Sequence, residues 1–187
     1  MTETVATTKG AILRSLLKFI DKDLTEAQRS SAFAALPPDE RELVGRPILA
    51  GEKIPERTLN RITVEAARAK GDSLEQWGRR AGRAELADSV GVYRFFVMVL
   101  TPASLMRKAS SFWSTVHSQG KLSVESEEPN KATVVLTDFP SELAHCARLA
   151  GWMEGAGEMT GAKKVDVVHD ACITRGAREC TWQISWT

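Results

Sequence analysis

The sequence has little of what marks secreted, membrane-spanning or nucleic-acid-binding proteins. It contains three cysteines and one tyrosine, and no apolar run approaches the roughly 20 residues that span a bilayer. Its 25 Lys and Arg balance 24 Asp and Glu, so a nucleic acid or an anionic membrane is not an expected partner. Polar residues precede the first apolar stretch, so we expect no secretory signal and a cytoplasmic location.

The first part of the chain has the pattern of helices. Apolar residues recur at helical spacing from residue 12 onward, and Pro37-Pro38 and Gly71 interrupt the pattern. The most apolar stretch, from Val90 to Leu100, is too short to span a membrane and is expected to be a buried helix. A further helix is expected from Pro102 to Gly120. We expect an N-terminal helical region over 1–72 and an α+β domain over 73–187. Because no long linker separates them, the two are expected to pack as one compact unit.

The period of the apolar residues changes to two after residue 120. Two alternating segments flank the turn at Glu128-Pro129-Asn130 and predict a hairpin. A long helix is expected over 140–161, followed by a strand over 165–173 and a last strand from Cys180. The sequence therefore predicts an α+β fold, with N-terminal helices followed by a β-β-α-β-β antiparallel sheet packed against helices.

All three cysteines lie in this C-terminal part. If residues 175–177 form a three-residue loop, Cys172 faces Cys180 on the two last strands, at a separation that suits either a disulfide or two thiolates on one metal ion. Cys146 lies on the inward face of the preceding helix, and His169 lies three residues before Cys172. One imidazole and three thiolates form a donor set that suits tetrahedral zinc.

The spacing of His169 and Cys172 presents a difficulty for this metal site. A regular strand sends residues three apart to opposite faces, so both can face the metal only if a bulge occurs near Asp170-Ala171. Without the bulge, His145, Asp170 or a water would complete the set of ligands. The alternative is that the cysteines pack as small core residues and that His169 lies at the surface.

The C-terminal part resembles the 4-vinyl-reductase-type domain, over roughly Leu74 to Trp186. The resemblance is strongest in GVYRFF, in the hairpin that ends LTDFP, and in the C-x7-C pair with its alternating aromatic strand. Relatives of that domain include haem-NO-binding domains, TRAPP subunits and the aromatic-sensing domains of bacterial regulators. The whole chain also looks like an uncharacterised bacterial protein family of this type.

The resemblance implies a small-molecule-binding or interaction module. In the aromatic-sensing relatives, zinc is held by a cysteine of the long helix, an acidic residue and two cysteines beside the last turn; here position 169 is histidine instead of the acid. Ligands of the relatives enter an apolar pocket between sheet and helices. The corresponding positions here, which core packing would also explain, are Trp77, Tyr93, Phe96, Phe112, Trp113 and Trp152.

Three functions follow as hypotheses. The first is a non-enzymatic sensor for a hydrophobic small molecule, with a structural zinc site and signalling through a homodimer or a protein partner. The second is an adaptor without a ligand. The third is a reductase-related enzyme, although the sequence has no nicotinamide or flavin fingerprint. We do not expect haem, because His117 is the only plausible axial histidine and its place suits the end of a helix. Arg79, Arg80 and Arg83, with Glu85 among the balancing acids, are expected on a solvated face.

Overall fold

The computed structural model describes residues 5–89, 101–128 and 130–187, and within these ranges it has seven helices and six strands. The helix expected over 90–100, with Tyr93 and Phe96, lies outside the described residues. The helices are α1 Gly10–Asp23, α2 Glu26–Ala34, α3 Pro38–Val44, α4 Glu56–Lys70, α5 Leu74–Ser89, α6 Pro102–Val116 and α7 Leu143–Met159. The strands are β1 Thr7–Lys9, β2 Lys53–Pro55, β3 Lys121–Glu128, β4 Lys131–Thr137, β5 Val165–Ala171 and β6 Cys180–Trp186.

The N-terminal helices begin and end where local chemistry dictates. Thr25 and Gln28 form a capping box at the start of α2, in which each side chain bonds the backbone N–H of the other residue. Gly71 ends α4 in the left-handed conformation, with φ of 84°, which glycine adopts without a steric penalty. The apolar faces of α1, α2 and α4 share one hydrophobic core with the start of α5, built on Leu13, Leu16, Ile20, Leu59, Ile62, Trp77 and Ala81.

The main sheet is antiparallel throughout, in the order β3-β4-β6-β5, which confirms the predicted α+β fold. Alternate residues of β6, from Cys180 to Trp186, are buried on its inner face. Together with β4 residues and the inward face of α7, they form a second core. None of the helices in the described ranges combines the length and apolar character that a bilayer crossing requires.

Two details differ from the sequence-based expectation. A short strand pair, β1 with β2, joins the N-terminus to the start of α4. These strands were not predicted, because three residues are too few to show an alternating pattern. The loop between β5 and β6 is longer than residues 175–177, because a 3₁₀ turn over Ile173–Arg175 returns the N–H groups of Arg175 and Ala177 to the Cys172 carbonyl.

Helices α5 and α7 pack with their backbones in contact. A Cβ added to Gly82 would lie 1.9 Å from the Arg148 carbonyl oxygen, and one added to Gly151 would lie 2.0 Å from the Arg79 carbonyl oxygen. Since real side-chain carbons do not approach backbone oxygens so closely, only glycine permits this separation. The two helices are therefore fixed in one register, and that register positions every side chain of α7.

This packing predicts the effect of Gly82→Ala. Alanine normally favours a helix over glycine by about 1 kcal/mol, but here the methyl group must push α5 away from α7, at a cost of about 1–3 kcal/mol or more. We expect a clear net loss in the free energy of unfolding, measured by chemical denaturation. Gly51→Ala is the control, because nothing lies within 4 Å of its added Cβ. Equal effects of the two substitutions would contradict the proposed packing.

Candidate functional site

The fold brings the three cysteines together between α7 and the last hairpin. Cys146 lies in the first turn of α7, Cys172 directly follows β5, and Cys180 begins β6. All three are buried, with at most 1% of each residue exposed, and none is in a disulfide. The predicted juxtaposition of three thiols is thus present in the structure.

The distances between the sulfur atoms match the edges of a metal tetrahedron. The Sγ of Cys146 lies 3.9 Å from those of Cys172 and Cys180, and these two lie 3.7 Å apart. Three sulfurs bound tetrahedrally at about 2.3 Å from zinc would be separated by about 3.8 Å. A disulfide, in contrast, requires about 2.05 Å. The geometry therefore suits a shared ion and does not suit an S–S bond.

His169 joins the cluster through a bulge in β5. The pairing of β5 with β6 shifts between His169 and Ala171, at the position where the sequence requires it. A ring nitrogen of His169 and the three sulfurs all lie within 4.8 Å of one another. The imidazole stacks on Trp182 with centroids 4.9 Å apart, and its buried Nε2 has no hydrogen-bond partner among the described residues.

The sulfurs already share protons unequally. The hydrogen bond between Cys146 and Cys180 raises the pKa of the Cys146 thiol and lowers the pKa of Cys180 to about 3. Two close sulfurs share one proton in this way, so that one of them becomes a thiolate, which is the form that binds metals. The Oγ1 of Thr174 lies 3.0 Å from the Cys172 sulfur and contributes a further polar contact.

The aromatic residues expected around a ligand pocket lie in different parts of the structure. Trp77 is wholly buried in the N-terminal core, where its indole N–H donates to Asp23 Oδ2 at 3.0 Å. Trp113 belongs to the sheet core and donates to the Gln119 carbonyl at 2.9 Å. Both indole groups are thus already satisfied within the protein.

Phe112 and Trp152 do lie together. Their ring centroids are 6.4 Å apart, Trp152 is half-buried, and Phe112 is exposed. Because Tyr93 and Phe96 lie outside the described residues, the pocket as a whole stays a prediction. A surface groove of about 330 Å³ lies elsewhere, between α3, β2 and α4, and has charged residues on its walls, including Glu40, Arg46, Lys53 and Arg57.

The arginines of α5 are engaged in ion pairs across the structure. Arg79 contacts Glu75 and Glu154 and donates to the Val167 carbonyl at 2.9 Å, which ties α5 to α7 and β5. Arg83 pairs with Glu154 at 3.1 Å. The expected solvated face is present in part, since the side chains of Arg80 and Arg83 are 41% and 40% exposed. The contacts with Glu154 and Val167 were not expected, because these partners are distant in the sequence.

Glu85 also departs from that expectation, since it is buried. It lies 3.1 Å from the guanidinium of Arg148, which also reaches Glu56, and all three residues are at most 4% exposed. Sequence reasoning missed this cluster. Isolated glutamates and an arginine carry no local signal of burial when their partners are more than 60 residues away.

His117 and His145 form an aromatic cluster beside these acids. His117 is the residue that ends α6, and its ring stacks on Trp113 with centroids 4.0 Å apart. His145 lies 5.9 Å from His117, ring to ring. Burial lowers the pKa of both histidines, for His117 to about 3, so both rings are neutral near pH 7.

These two histidines fit a haem iron in their donor chemistry. Each has a buried Nδ1 without a hydrogen-bond partner in the described ranges, and neutral imidazole is the form that ligates iron. The ring of His117 also packs edge-on against Phe139, with centroids 5.5 Å apart. A porphyrin bound at His117 would have to displace some of this ring packing.

Comparison with known proteins shows the fold. No protein-family model and no curated protein matches the chain. An H-NOX protein from S. oneidensis, solved in the Fe(II)NO ligation state, is 16% identical with a TM-score of 0.74, over 96% of this chain and 99% of that one. A mutant of the H-NOX protein from K. algicida, in the unliganded Fe(II) state, is 11% identical with a TM-score of 0.77, over 96% of both chains.

A third structure concerns haem directly. It was solved to study the modulation of haem redox potential by porphyrin distortion, and it is 13% identical with a TM-score of 0.68, over 96% of this chain and 95% of that one. The expectation against haem is therefore wrong, because haem is the subject of a structure with this architecture. It failed because a single histidine in a sequence says nothing about the fold in which that residue lies. The chain has the fold of the H-NOX domains.

Proposed function

We propose that the protein is a non-enzymatic sensor module of the H-NOX fold, in which a metal ion clamps the last hairpin to α7. The observation that carries the clamp is the set of three buried sulfurs, 3.7–3.9 Å apart, with a ring nitrogen of His169 within 4.8 Å of them. Three thiolates and an imidazole are soft and borderline donors, which favours zinc over the hard cations calcium and magnesium.

The proposed role of this ion is structural. Four protein ligands close a tetrahedral zinc sphere and leave no position for a substrate or an activated water. Its ligands come from α7, from the end of β5 and from the start of β6, so the ion would join elements that are distant in the sequence. Binding to such a site contributes directly to the free energy of folding.

The sensing part of the proposal is supported by the fold and by the pair of Phe112 and Trp152. A hydrophobic small molecule would bind beside these rings, and the signal would leave through a homodimer or a protein partner in the cytoplasm. The adaptor without a ligand is the alternative, and it is favoured by the internal hydrogen bonds of Trp77 and Trp113. We also propose that the chain is related to the 4-vinyl-reductase-type domains.

The proposed clamp predicts the metal content of the protein. Protein purified with its thiols kept reduced should contain about one zinc ion per chain, because the donor set holds one tetrahedral ion. Elemental analysis combined with native mass spectrometry measures the ratio. Less than a tenth of an ion per chain, with zinc supplied during expression, would contradict the clamp.

A substitution at Cys172 distinguishes a metal ligand from a packed thiol. Cys172→Ser should remove the ion and lower the free energy of unfolding by several kcal/mol, because the binding free energy of a structural ion is folding free energy. A chelator should lower the stability of the wild-type protein to nearly that of the variant, while the stability of the variant stays unchanged. Serine is close to cysteine in size, so a loss that is independent of the chelator would indicate packing alone.

Haem binding is the second candidate function, favoured by the unpartnered imidazole nitrogens of His117 and His145. His117 would hold the iron, and bound haem would supply a site for a diatomic gas. The neutral state of both rings, enforced by burial, keeps a nitrogen lone pair available for the iron.

A titration with hemin tests this candidate. The wild-type protein and His169→Gln should both develop a Soret band, because His169 belongs to the thiol cluster, whereas His117→Ala should lose the band and recover it with added imidazole. Absence of a Soret band in the wild-type protein would refute haem binding. A band of equal strength in His117→Ala would refute the assigned ligand.

A further inference from the structure

The 3₁₀ turn between β5 and β6 lies against the thiol cluster. It spans Ile173–Arg175 and directly follows Cys172. The carbonyl of Cys172 accepts hydrogen bonds from the N–H groups of Arg175 at 2.9 Å and of Ala177 at 3.1 Å. These bonds fold the chain back over Cys172, so that polar groups of the turn come beside the sulfurs.

One of these polar groups is the side-chain hydroxyl of Thr174. Its Oγ1 lies 3.0 Å from the Sγ of Cys172, at hydrogen-bonding distance. A thiolate has no proton to donate, so the hydroxyl is the donor once the Cys172 sulfur binds a metal ion. Thr174 is itself an exposed residue. Its contact with the buried sulfur is therefore not a consequence of core packing.

Two further donors lie beside the sulfur of Cys180. The backbone N–H of Ile173 and the hydroxyl of Ser141, which precedes α7, are both placed to donate to it. Ser141 is 4% exposed, and its Oγ has no oxygen or nitrogen partner in the described part of the chain. A buried hydroxyl without an acceptor is costly, and a metal-bound sulfur would supply the acceptor that this one lacks.

These donors matter because the proposed metal site is both buried and charged. Three thiolates, a neutral imidazole and one zinc ion carry an excess negative charge. Apart from the ligands themselves, the groups that contact the sulfurs within the described ranges are neutral hydroxyl and N–H groups. Since a buried charge is unfavourable unless polar groups compensate it, these dipoles are the means by which the protein stabilises the site.

We propose that Thr174 and Ser141 are positioning residues of the metal site, whose hydroxyl groups donate to the metal-bound sulfurs of Cys172 and Cys180. The hydroxyls orient the two thiolates toward the ion and offset part of their negative charge, which strengthens the binding of the ion. This role rests on the proposed metal clamp and adds to it an outer layer of donors that comes from the last loop and from the segment before α7.

The affinity for zinc tests this role. Thr174→Val removes the hydroxyl but keeps the branched shape of the side chain, and its affinity should be lower than that of the wild-type protein on the order of tenfold. The double variant that adds Ser141→Ala should be weaker still, by roughly a hundredfold in total. Thr174→Ser is the matched control, because it keeps the hydroxyl and should keep the wild-type affinity. Competition with a chromophoric chelator measures all four proteins.

Cobalt(II) in place of zinc provides a readout that packing alone would not change. The thiolate-to-cobalt charge-transfer band should have the same position in the wild-type protein and in Thr174→Ser. In Thr174→Val the band should move to longer wavelength, because a sulfur that has lost a hydrogen bond gives up electron density more readily. A variant that is merely less stable would bind less cobalt, but the position of its band would not move.

The outcomes separate this role from the clamp itself. Wild-type protein that binds neither zinc nor cobalt would refute the clamp, and the role of the hydroxyls with it. If the wild-type protein binds zinc and Thr174→Val matches it in affinity and in band position, only the role of the hydroxyls is overturned. An equal loss of affinity in Thr174→Val and Thr174→Ser would also overturn it, and a double variant no weaker than Thr174→Val would refute the part assigned to Ser141.

Discussion

The contact between the backbones of α5 and α7 is the constraint on which the rest of the structure depends. Gly82 and Gly151 allow each helix to reach the carbonyl oxygens of the other, and a single methyl group at either position has no room. Because this separation admits one register, the side chains of α7 have fixed directions. The geometry of the thiol cluster therefore depends on this contact. The same holds for the buried ion pairs of Arg148 with Glu56 and Glu85.

Helix α7 presents different chemistry on its two sides. Cys146 and Arg148 are two residues apart, which corresponds to about 200° around a helix, so they point to nearly opposite sides. Cys146 meets the sulfurs of the last hairpin, and Arg148 meets the acids of α4 and α5. One helix therefore connects a site whose geometry suits a metal with a buried ion-pair cluster.

The parts of this structure that could be predicted were those encoded locally. The alternation of β6 identified a strand with Cys180 on its buried face, and the opposite parity of His169 and Cys172 required a bulge that the structure contains. The partners of Glu85 could not be predicted, because its burial results from Arg148, 63 residues further along the chain. The division of the chain near residue 72 stays a prediction. The expectation against haem failed for a related reason, since it was based on one residue type and not on the fold.

The central claim is that the three thiols and His169 hold a metal ion, and X-ray absorption at the zinc edge tests it most directly. For the purified, reduced protein, the account predicts three sulfur neighbours at about 2.3 Å and one nitrogen neighbour at about 2.0–2.1 Å. A spectrum with only oxygen and nitrogen neighbours, or a sample without zinc, would contradict it.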